Sequence, residues 1–365
     1  MTNDLSPLLL LNQRISGLWD GFSSLILPKK KAVSKVTVCD LGLARTLLLE
    51  LEKRPDHLFV HHIDIIKNVP SDQKTSLMLK PFLEGMKSRK NGVRLALKGH
   101  GVVIRFIRFP KMKVEDLQSA MKYEAEQYIP FELSDVVLDF AVVAENLKTD
   151  DGEKMEVMLA VIKRQELEPT LEIFRNLECR LSVLDVNILS ALAALEYFHP
   201  EDFSGHVGLL DFGTEISTLG IVRDGKPRFI RDISYGTYDL HKRLKTRFNL
   251  TDEKIEKIFE KHEPPTSDEE QAITESLEGL IGDLRVSFDY YRDQSGQSKP
   301  VTKLFLSGGV SHPEILKALS DGLQIPVVCM DILPKLRWAP EVDAELLKTQ
   351  VALLPVALGL GLREE

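Results

Sequence analysis

Three short glycine turns, spread along the 365 residues, carry the residue types that can hold a phosphate. They are Asp40-Leu41-Gly42, Asp211-Phe212-Gly213 and Ser307-Gly308-Gly309, and each follows an apolar run typical of a buried strand. A strand that ends in Asp-x-Gly can turn sharply and present backbone N–H groups beside a carboxylate. Because Mg²⁺ prefers carboxylate oxygens and bridges to phosphate, the turns predict a site for a magnesium-bound phosphate.

The elements that position these turns occur twice in the same order. Each half opens with three consecutive strands, the first two joined by an Asp-x-Gly turn, and then alternates helix and strand. The opening strands are predicted over 36–41, 46–51 and 58–65, and again over 207–212, 216–222 and 228–233. This pattern indicates a mixed sheet covered by helices in each of two similar lobes, with a nucleotide cleft between them.

The first half contains an insertion, residues 102–178, that reads as a small α+β unit. Its predicted elements are a strand over 102–109, a helix over 114–128, strands over 136–144 and 155–162, and a helix over 166–177. The predicted domains are therefore a leader (1–34), a first lobe (35–205) that carries the insertion, and a second lobe (206–365). The last helix is predicted over 344–362.

The composition excludes several classes of protein. The net charge of −8 argues against nucleic acid as a partner, because binding a phosphate backbone needs a clustered basic surface. The three cysteines, Cys39, Cys179 and Cys329, lack metal-ligand spacing and indicate buried free thiols in a reducing compartment. His57, His61 and His62 lie near Asp64, but the pattern is not a known ligand spacing, and it favours a solvated strand face.

The leader has apolar residues at helical spacing, followed by Lys29-Lys30-Lys31. The apolar residues are Leu8, Leu11, Ile15, Leu18, Phe22 and Leu25, with Trp19 beside them. Two readings stay open. One is an amphipathic helix that lies on the cytoplasmic face of a membrane or docks a partner. The other is a loosely packed leader, since Pro7, Gly17 and Gly21 weaken a helix.

The stretch YEAEQYIPFELSDVVLDF, residues 123–140, closely resembles a segment of the PilM family of type IV pilus assembly proteins. Further similar segments are the stretch from Asp211 through 231–233, the helix end at 287–291 and the tail at 357–360. The resemblance covers roughly residues 36–363. The glycine turns alone resemble those of the wider actin/Hsp70-like ATPase superfamily, which includes the related cell-division protein FtsA.

The resemblance implies an α/β fold of duplicated actin-like ATPase lobes with an SHS2-like subdomain inserted in the first lobe. It also implies that ATP and Mg²⁺ are the ligands of the turns. Asp40 and Asp211 would hold Mg²⁺ through water, and Asp185 would orient a water toward the terminal phosphate. The other cofactor-binding residues implied are Gly42, Gly213, Thr214, Ser287, Ser307, Gly308 and Gly309. Ser287 shares a helix face with Asp283, Val286 and Tyr290, which would approach the adenosine.

The first turn departs from the family pattern. Leu43-Ala44-Arg45 stands where the family has small hydroxyl residues, and Leu47 stands in the place of a lysine. Val310 replaces a third glycine after the third turn, and Asn187 stands where relatives often carry glutamate. Loss of a charged phosphate contact costs a few kcal/mol. The departures therefore predict weak or lost nucleotide binding and, at most, a weak ATPase.

The resemblance also implies a function, that of a cytoplasmic scaffold in the assembly of a type IV pilus or a related type II secretion system. The partner it implies is the cytoplasmic tail of a PilN-like inner-membrane protein, with ATP in the cleft gating the binding of that tail. The predicted partner-binding residues are Tyr128, Ile129, Pro130 and Phe131, an apolar corner that forms one wall of a peptide groove. Other pilus assembly proteins and motor ATPases are further expected partners. The expected location is cytoplasmic and peripheral to the inner membrane.

Two alternatives share the fold. A sugar kinase would phosphorylate a small molecule in the cleft, and an FtsA-like protein would form membrane-tethered filaments. The protein-kinase reading of Asp211-Phe212-Gly213 lacks the accompanying catalytic-loop and lysine motifs, and the chain has no Walker A sequence.

Overall fold

The computed structural model of the protein describes residues 35–67, 73–98, 101–149, 152–259, 263–295, 300–309 and 312–363. The predicted leader and Val310 lie outside the described residues. The strands are β1 (Val36–Leu41), β2 (Arg45–Lys53), β3 (Leu58–Lys67), β4 (Val93–Leu97), β5 (Val102–Pro110), β6 (Val136–Thr149), β7 (Gly152–Lys163), β8 (Leu181–Val186), β9 (His206–Phe212), β10 (Ser217–Arg223), β11 (Lys226–Ile233), β12 (Leu304–Gly308), β13 (Val327–Cys329) and β14 (Leu336–Trp338).

The helices flank these strands along the chain. They are α1 (Gln73–Gly85), α2 (Val114–Glu124), α3 (Arg164–Asn176), α4 (Asn187–Phe198), α5 (Pro200–Phe203), α6 (Thr237–Phe248), α7 (Asp252–Phe259), α8 (Ser267–Ser295), α9 (Pro313–Leu323), α10 (Ala344–Thr349) and α11 (Leu354–Leu362).

The chain folds into two compact units. The first comprises the described residues up to Ala193 together with Leu336–Val342 and the end of the chain from Ala357. The second comprises Ala194–Lys335 and Asp343–Val356. The predicted second lobe, 206–365, is therefore divided between the units. The physical reason is that β14 pairs in parallel with β3, while α11 is buried almost entirely and ends in the first unit.

The sheets of the two units have equivalent strand orders, except that the first has an additional edge strand, β14. In the first unit the order is β14-β3-β2-β1-β4-β8, and in the second it is β11-β10-β9-β12-β13. In both, the three opening strands are antiparallel and the next two are parallel to the first. The Asp224-Gly225 turn between β10 and β11 has φ values of 55° and 70°, as a tight hairpin turn requires. The duplication predicted from the sequence is present.

The insertion has its own sheet, with the strand order β5-β7-β6. The two faces of this sheet pack against different elements. One face packs against α2 around a core that includes Phe109, Leu117 and Leu159. The other face contributes Val137 and Ile162 to the core beneath the sheet of the first unit. Side chains alternate across a strand, so consecutive residues of β6 and β7 face opposite ways.

The predicted C-terminal helix over 344–362 is interrupted. It consists of α10, a short 3₁₀ turn at Val351–Leu353, and α11, and the chain passes from the second unit to the first near Val356. No helix in the described part of the chain is long and apolar enough to cross a membrane. The apolar α11 has 9 residues, whereas a span needs about 20.

Candidate functional site

The first glycine turn joins β1 to β2 through Gly42. A Cβ atom at Gly42 would overlap the carbonyl oxygen of Arg45, so the turn accepts only glycine without moving its backbone. Asp40 lies one residue from the end of β1 with its side chain partly buried. Leu43 is 53% exposed and offers a phosphate no hydrogen-bond donor from its side chain.

A lysine that the sequence analysis overlooked contacts this turn. Lys98 follows β4, which runs parallel to β1 with Ala96 opposite Asp40. Its Nζ lies 2.9 Å from Oδ1 of Asp40 and 3.0 Å from the position a Cβ would take at Gly42. The only sequence clue was its place directly after a second buried strand of the same sheet.

The second and third turns lie side by side in the second unit. Strands β9 and β12 are parallel and place Ser307 opposite Asp211. The Ser307 hydroxyl donates to Oδ1 of Asp211 over 3.1 Å. Gly308 has φ 106°, and a Cβ there would overlap the carbonyl oxygen of Phe212, which also accepts a hydrogen bond from the Gly309 amide over 3.0 Å. The structure thus unites two turns that are 96 residues apart.

The loop after Asp211 is fixed by the beginning of α6. The amides of Thr237 and Tyr238 donate to the carbonyl oxygens of Gly213 and Thr214 over 2.9 and 2.8 Å. A Cβ at Gly236, the N-cap of α6, would overlap Thr214. Gly236 was missed by the sequence analysis, because its neighbour in space is 22 residues away and no local turn pattern marks it.

Ser287 lies in the interior of the second unit. It is fully buried, donates its hydroxyl to the Asp283 carbonyl oxygen over 2.6 Å, and accepts from the Arg231 guanidinium over 3.2 Å. Val286 and Tyr290 are exposed, at 57% and 49%. The predicted adenosine-facing set is therefore split: Ser287 faces the core, while its helical neighbours face solvent. The adenosine contact stays a prediction for the exposed members.

Asp185, predicted to orient a water, is enclosed by donors. Its Oδ2 accepts from Ser190 over 2.5 Å and from Nε of Arg363 over 2.6 Å, and its Oδ1 accepts from the Val186 amide over 2.8 Å. The side chains of Asp185 and Arg363 are only 3% and 2% exposed. These contacts favour a buried structural ion pair, and the water-orienting role stays a prediction without a contact that supports it.

A small cavity of about 30 Å³ lies in the first unit between the insertion and the sheet that carries β4 and β8. Its lining is largely apolar and includes two carboxylates. The lining residues are Leu97, Val102, Val137, Asp139, Ala160, Val161, Ile162, Leu184, Asp185 and Val186. A concave apolar site with a few polar groups is the usual form of a ligand pocket.

The predicted corner Tyr128–Phe131 does not line this cavity. Ile129 is buried in the core between α2 and the insertion's sheet, and Tyr128 packs edge-on against Phe109 on the same face. Phe131 lies under the Lys163 ammonium, 4.4 Å from it. The cavity uses the opposite face of that sheet. The corner and the cavity are therefore two separate candidate surfaces.

Each of the three histidines near Asp64 contacts a different carboxylate, so the three do not share one metal site. His57 contacts Asp56, His61 contacts Glu52 over 2.8 Å and His62 contacts Asp64 over 2.6 Å. Within the described ranges no three metal-ligating side chains converge. Cys39, beside Asp40, is fully buried, and burial raises the pKa of its thiol far above the usual value, so it is neutral.

Known proteins share this architecture. A sequence profile of the family described as type IV pilus assembly protein PilM matches residues 60–365. A solved PilM-PilN type IV pilus biogenesis complex is similar with a TM-score of 0.76 and 26% identity, over 90% of this chain and 97% of that one. The ethanolamine utilization protein EutJ from Carboxydothermus hydrogenoformans is similar in fold, with a TM-score of 0.50 and 12% identity over 98% of this chain and 97% of its own.

The predicted fold of duplicated actin-like ATPase lobes is thereby confirmed, while the SHS2-like character of the insertion stays a prediction. The profile begins within β3 and runs to the end, well over half of the chain. The chain belongs to the family of the type IV pilus assembly protein PilM.

Proposed function

We propose that this chain is a scaffold of type IV pilus assembly that binds the cytoplasmic tail of a PilN-like inner-membrane protein. The observation that carries the proposal is the similarity, at 26% identity over 90% of the chain, to a structure of a PilM-PilN complex. The scaffold would act in the cytoplasm at the inner membrane, where such a tail is accessible. Membership of the family favours this function over the sugar-kinase and filament alternatives.

The cavity between the insertion and the first-unit sheet is the better candidate for the tail. It is apolar, and its volume of about 30 Å³ suits one small apolar side chain in place of one or two waters. Asp139 lies at the wall of the cavity, and its Oδ1 accepts a hydrogen bond from the Phe140 amide over 2.8 Å. At the corner, Phe131 packs under Lys163 and Ile129 is buried, whereas Tyr128 is 37% exposed.

Two substitutions test the cavity against the corner. Ala160→Val adds two carbon atoms inside the cavity, and Phe131→Ala removes the ring of the corner. We expect Ala160→Val to weaken binding of a fluorescein-labelled PilN tail peptide about tenfold, since loss of one buried apolar contact costs about 1–2 kcal/mol. Phe131→Ala should leave it unchanged. Fluorescence anisotropy measures both affinities, and urea unfolding verifies that each variant is folded.

If Phe131→Ala weakened peptide binding and Ala160→Val did not, the tail would be assigned to the corner. Equal affinity of both variants and wild type would exclude both surfaces. Absence of binding by the wild type would overturn the proposed function.

We further propose that the glycine turns bind ATP with Mg²⁺. The chemistry of the turns supports this: Asp40 and Asp211 provide carboxylates, and Gly42, Gly213 and Gly308 occupy positions where a Cβ would strike the backbone. Such turns bring main-chain N–H groups within reach of phosphate. When bound, Mg²⁺ would neutralise the phosphate charge, and Asp211 would hold it through water.

Calorimetry with Mg-ATP tests this second proposal. Asp211→Ala should weaken binding of Mg-ATP, because it removes the carboxylate that would hold the metal and the acceptor of the Ser307 hydroxyl. Asp268→Ala, a change to an exposed acidic residue in the first turn of α8, is the matched control and should leave affinity unchanged. Equal affinity of wild type and Asp211→Ala would contradict the assignment.

A further inference from the structure

Lys98 and Asp40 form an ion pair directly over the first glycine turn. The ammonium lies 2.9 Å from the carboxylate, and only 3.0 Å from the point where a side chain at Gly42 would begin. The two residues come from neighbouring parallel strands, and both lie at the carboxyl ends of those strands. In α/β sheets this edge is where ligands bind.

The pair is exposed enough to be opened by a ligand. The side chains of Lys98 and Asp40 are 34% and 15% exposed. Ion pairs with this degree of exposure contribute little to stability. The side chains of Asp185 and Arg363, in the same unit, are only 3% and 2% exposed, so that ion pair is a buried structural contact. Stability therefore does not explain why a lysine reaches this turn.

The position of the Lys98 ammonium also affects whether Mg²⁺ can bind to Asp40. The nearby side chains of Leu43 and Leu47 carry no charge, so Lys98 brings a cation to the turn. An ammonium in contact with Oδ1 of Asp40 occupies the oxygen that would otherwise face Mg²⁺ or its water. A second cation on the same carboxylate would be repelled by the ammonium.

We infer that Lys98 is the phosphate-binding cation of the first turn and that it replaces Mg²⁺ there. On arrival of a polyphosphate, the ammonium contacts phosphate oxygens while it keeps Asp40 neutralised. This inference rests on the proposed binding of ATP, and it adds a residue and a prediction: phosphate binding at this turn does not depend on a divalent cation.

Calorimetric titration of the full chain with ATP, once in EDTA and once in MgCl₂, tests the inference. Lys98→Met removes the charge and keeps most of the side-chain length. The matched control is Lys111→Met, which breaks another exposed lysine–carboxylate pair, Lys111–Glu153 at 3.3 Å, in the insertion. Inorganic tripolyphosphate serves as a second probe that has no base or sugar.

We expect the wild type to bind ATP and tripolyphosphate in EDTA. Lys98→Met should weaken both by about tenfold or more, the usual effect of removing one charged hydrogen-bond partner. It should also make ATP binding dependent on Mg²⁺, because Asp40 is then free to hold the metal. Lys111→Met should bind as the wild type does, and Lys98→Arg should retain most of the affinity.

The outcomes separate this inference from the proposals on which it rests. Unchanged affinity of Lys98→Met in EDTA overturns it. Wild-type binding that requires Mg²⁺ also overturns it, but leaves ATP binding intact. Absence of ATP binding under both conditions overturns the inference and the ATP proposal together, whereas the tail-binding scaffold is tested separately by its peptide.

Discussion

The carboxylate of Asp185 is satisfied by three donors, and it is the partner of a buried guanidinium. We expect Asp185→Asn to destabilise the first unit by about 3–5 kcal/mol, because it leaves the charge of Arg363 buried without a counter-ion. Arg363→Met should cost less, since Asp185 keeps Ser190 and the Val186 amide as donors. Urea unfolding measures both changes.

The order of these two effects is the informative result. If Asp185→Asn unfolds at the urea concentration of the wild type but loses ATP affinity, Asp185 acts on the ligand as first predicted from the sequence. If the asparagine variant is the less stable of the two, Asp185 is a structural residue, and its resemblance to a family position reflects folding.

His206 makes the second unit sensitive to acid. Burial, reinforced by the nearby Arg223, lowers the pKa of His206 from its usual value of 6.5. The ring is neutral in the folded protein, so the unfolded chain binds a proton that the folded chain does not. Stability from this source is complete above pH 6.5 and falls as the pH decreases toward the lower pKa of the folded state.

Replacement of the ring tests this pH dependence. His206→Phe keeps the ring contact with Tyr291, at 5.5 Å between centroids, and removes the titrating group. We expect a smaller loss of stability between pH 7.5 and 5.5 than in wild type, measured by urea midpoints. Leu77→Gln, at an exposed position whose side chain does not titrate, is the control and should keep the wild-type slope. An unchanged slope in His206→Phe would refute the assignment.

At the scale of the elements, the third glycine turn is tightly constrained where β12 ends. Gly308 has φ 106°, and a Cβ there would overlap the carbonyl oxygen of Phe212. We expect Gly308→Ala to cost at least about 1–3 kcal/mol, because the backbone is strained and a carbonyl must move. Gly282→Ala in α8 is the control: nothing lies within 4 Å of its Cβ, so helix propensity predicts a gain of about 0.5–1 kcal/mol.

Thermal unfolding compares the two alanine variants. A stable Gly308→Ala would show that the third turn tolerates other backbone conformations, and the close packing of the turn on β9 would then not be required. A destabilised Gly282→Ala would show that α8 is held by contacts other than those described.

Elements with local patterns were predicted well from the sequence. β1 and the beginnings of β3, β5 and α2 agree with the predicted residues, because apolar alternation and glycine or proline boundaries are local. β14 was missed, since it has only three residues, and its partner β3 is far away in the chain. The last helix was predicted as continuous because its apolar pattern persists across the break at 350–353.

The same distinction applies to the candidate site. Gly42 and Gly213 were found because an Asp-x-Gly pattern is local. Lys98 and Gly236 were missed because they reach the turns through neighbouring strands and a helix N-terminus. The burial of Ser287 was missed because helical spacing groups it with exposed residues, whereas its contact with Arg231 on β11 joins residues far apart in the chain.

At the scale of the whole chain, residues near the end of the sequence complete the first unit. The Arg94 guanidinium, on strand β4, donates to the carbonyl oxygen of Gly361 over 2.9 Å. A Cβ at Gly361 would overlap the Leu51 side chain on β2, so α11 packs tightly on this sheet. The first unit therefore cannot form its full core until residues after 356 are available.

Hydrogen exchange on two matched variants tests this dependence. Leu358→Asp, at a fully buried position of α11, should reduce amide protection in β2 and β4, because a buried unpaired charge expels the helix from the first unit. Leu347→Asp, equally buried in α10, should reduce protection in the second unit instead, since α10 belongs there. If Leu358→Asp left β2 and β4 protected, the C-terminal segment would be dispensable for the first unit. In that case the pairing of Asp185 with Arg363 could not be a main source of its stability.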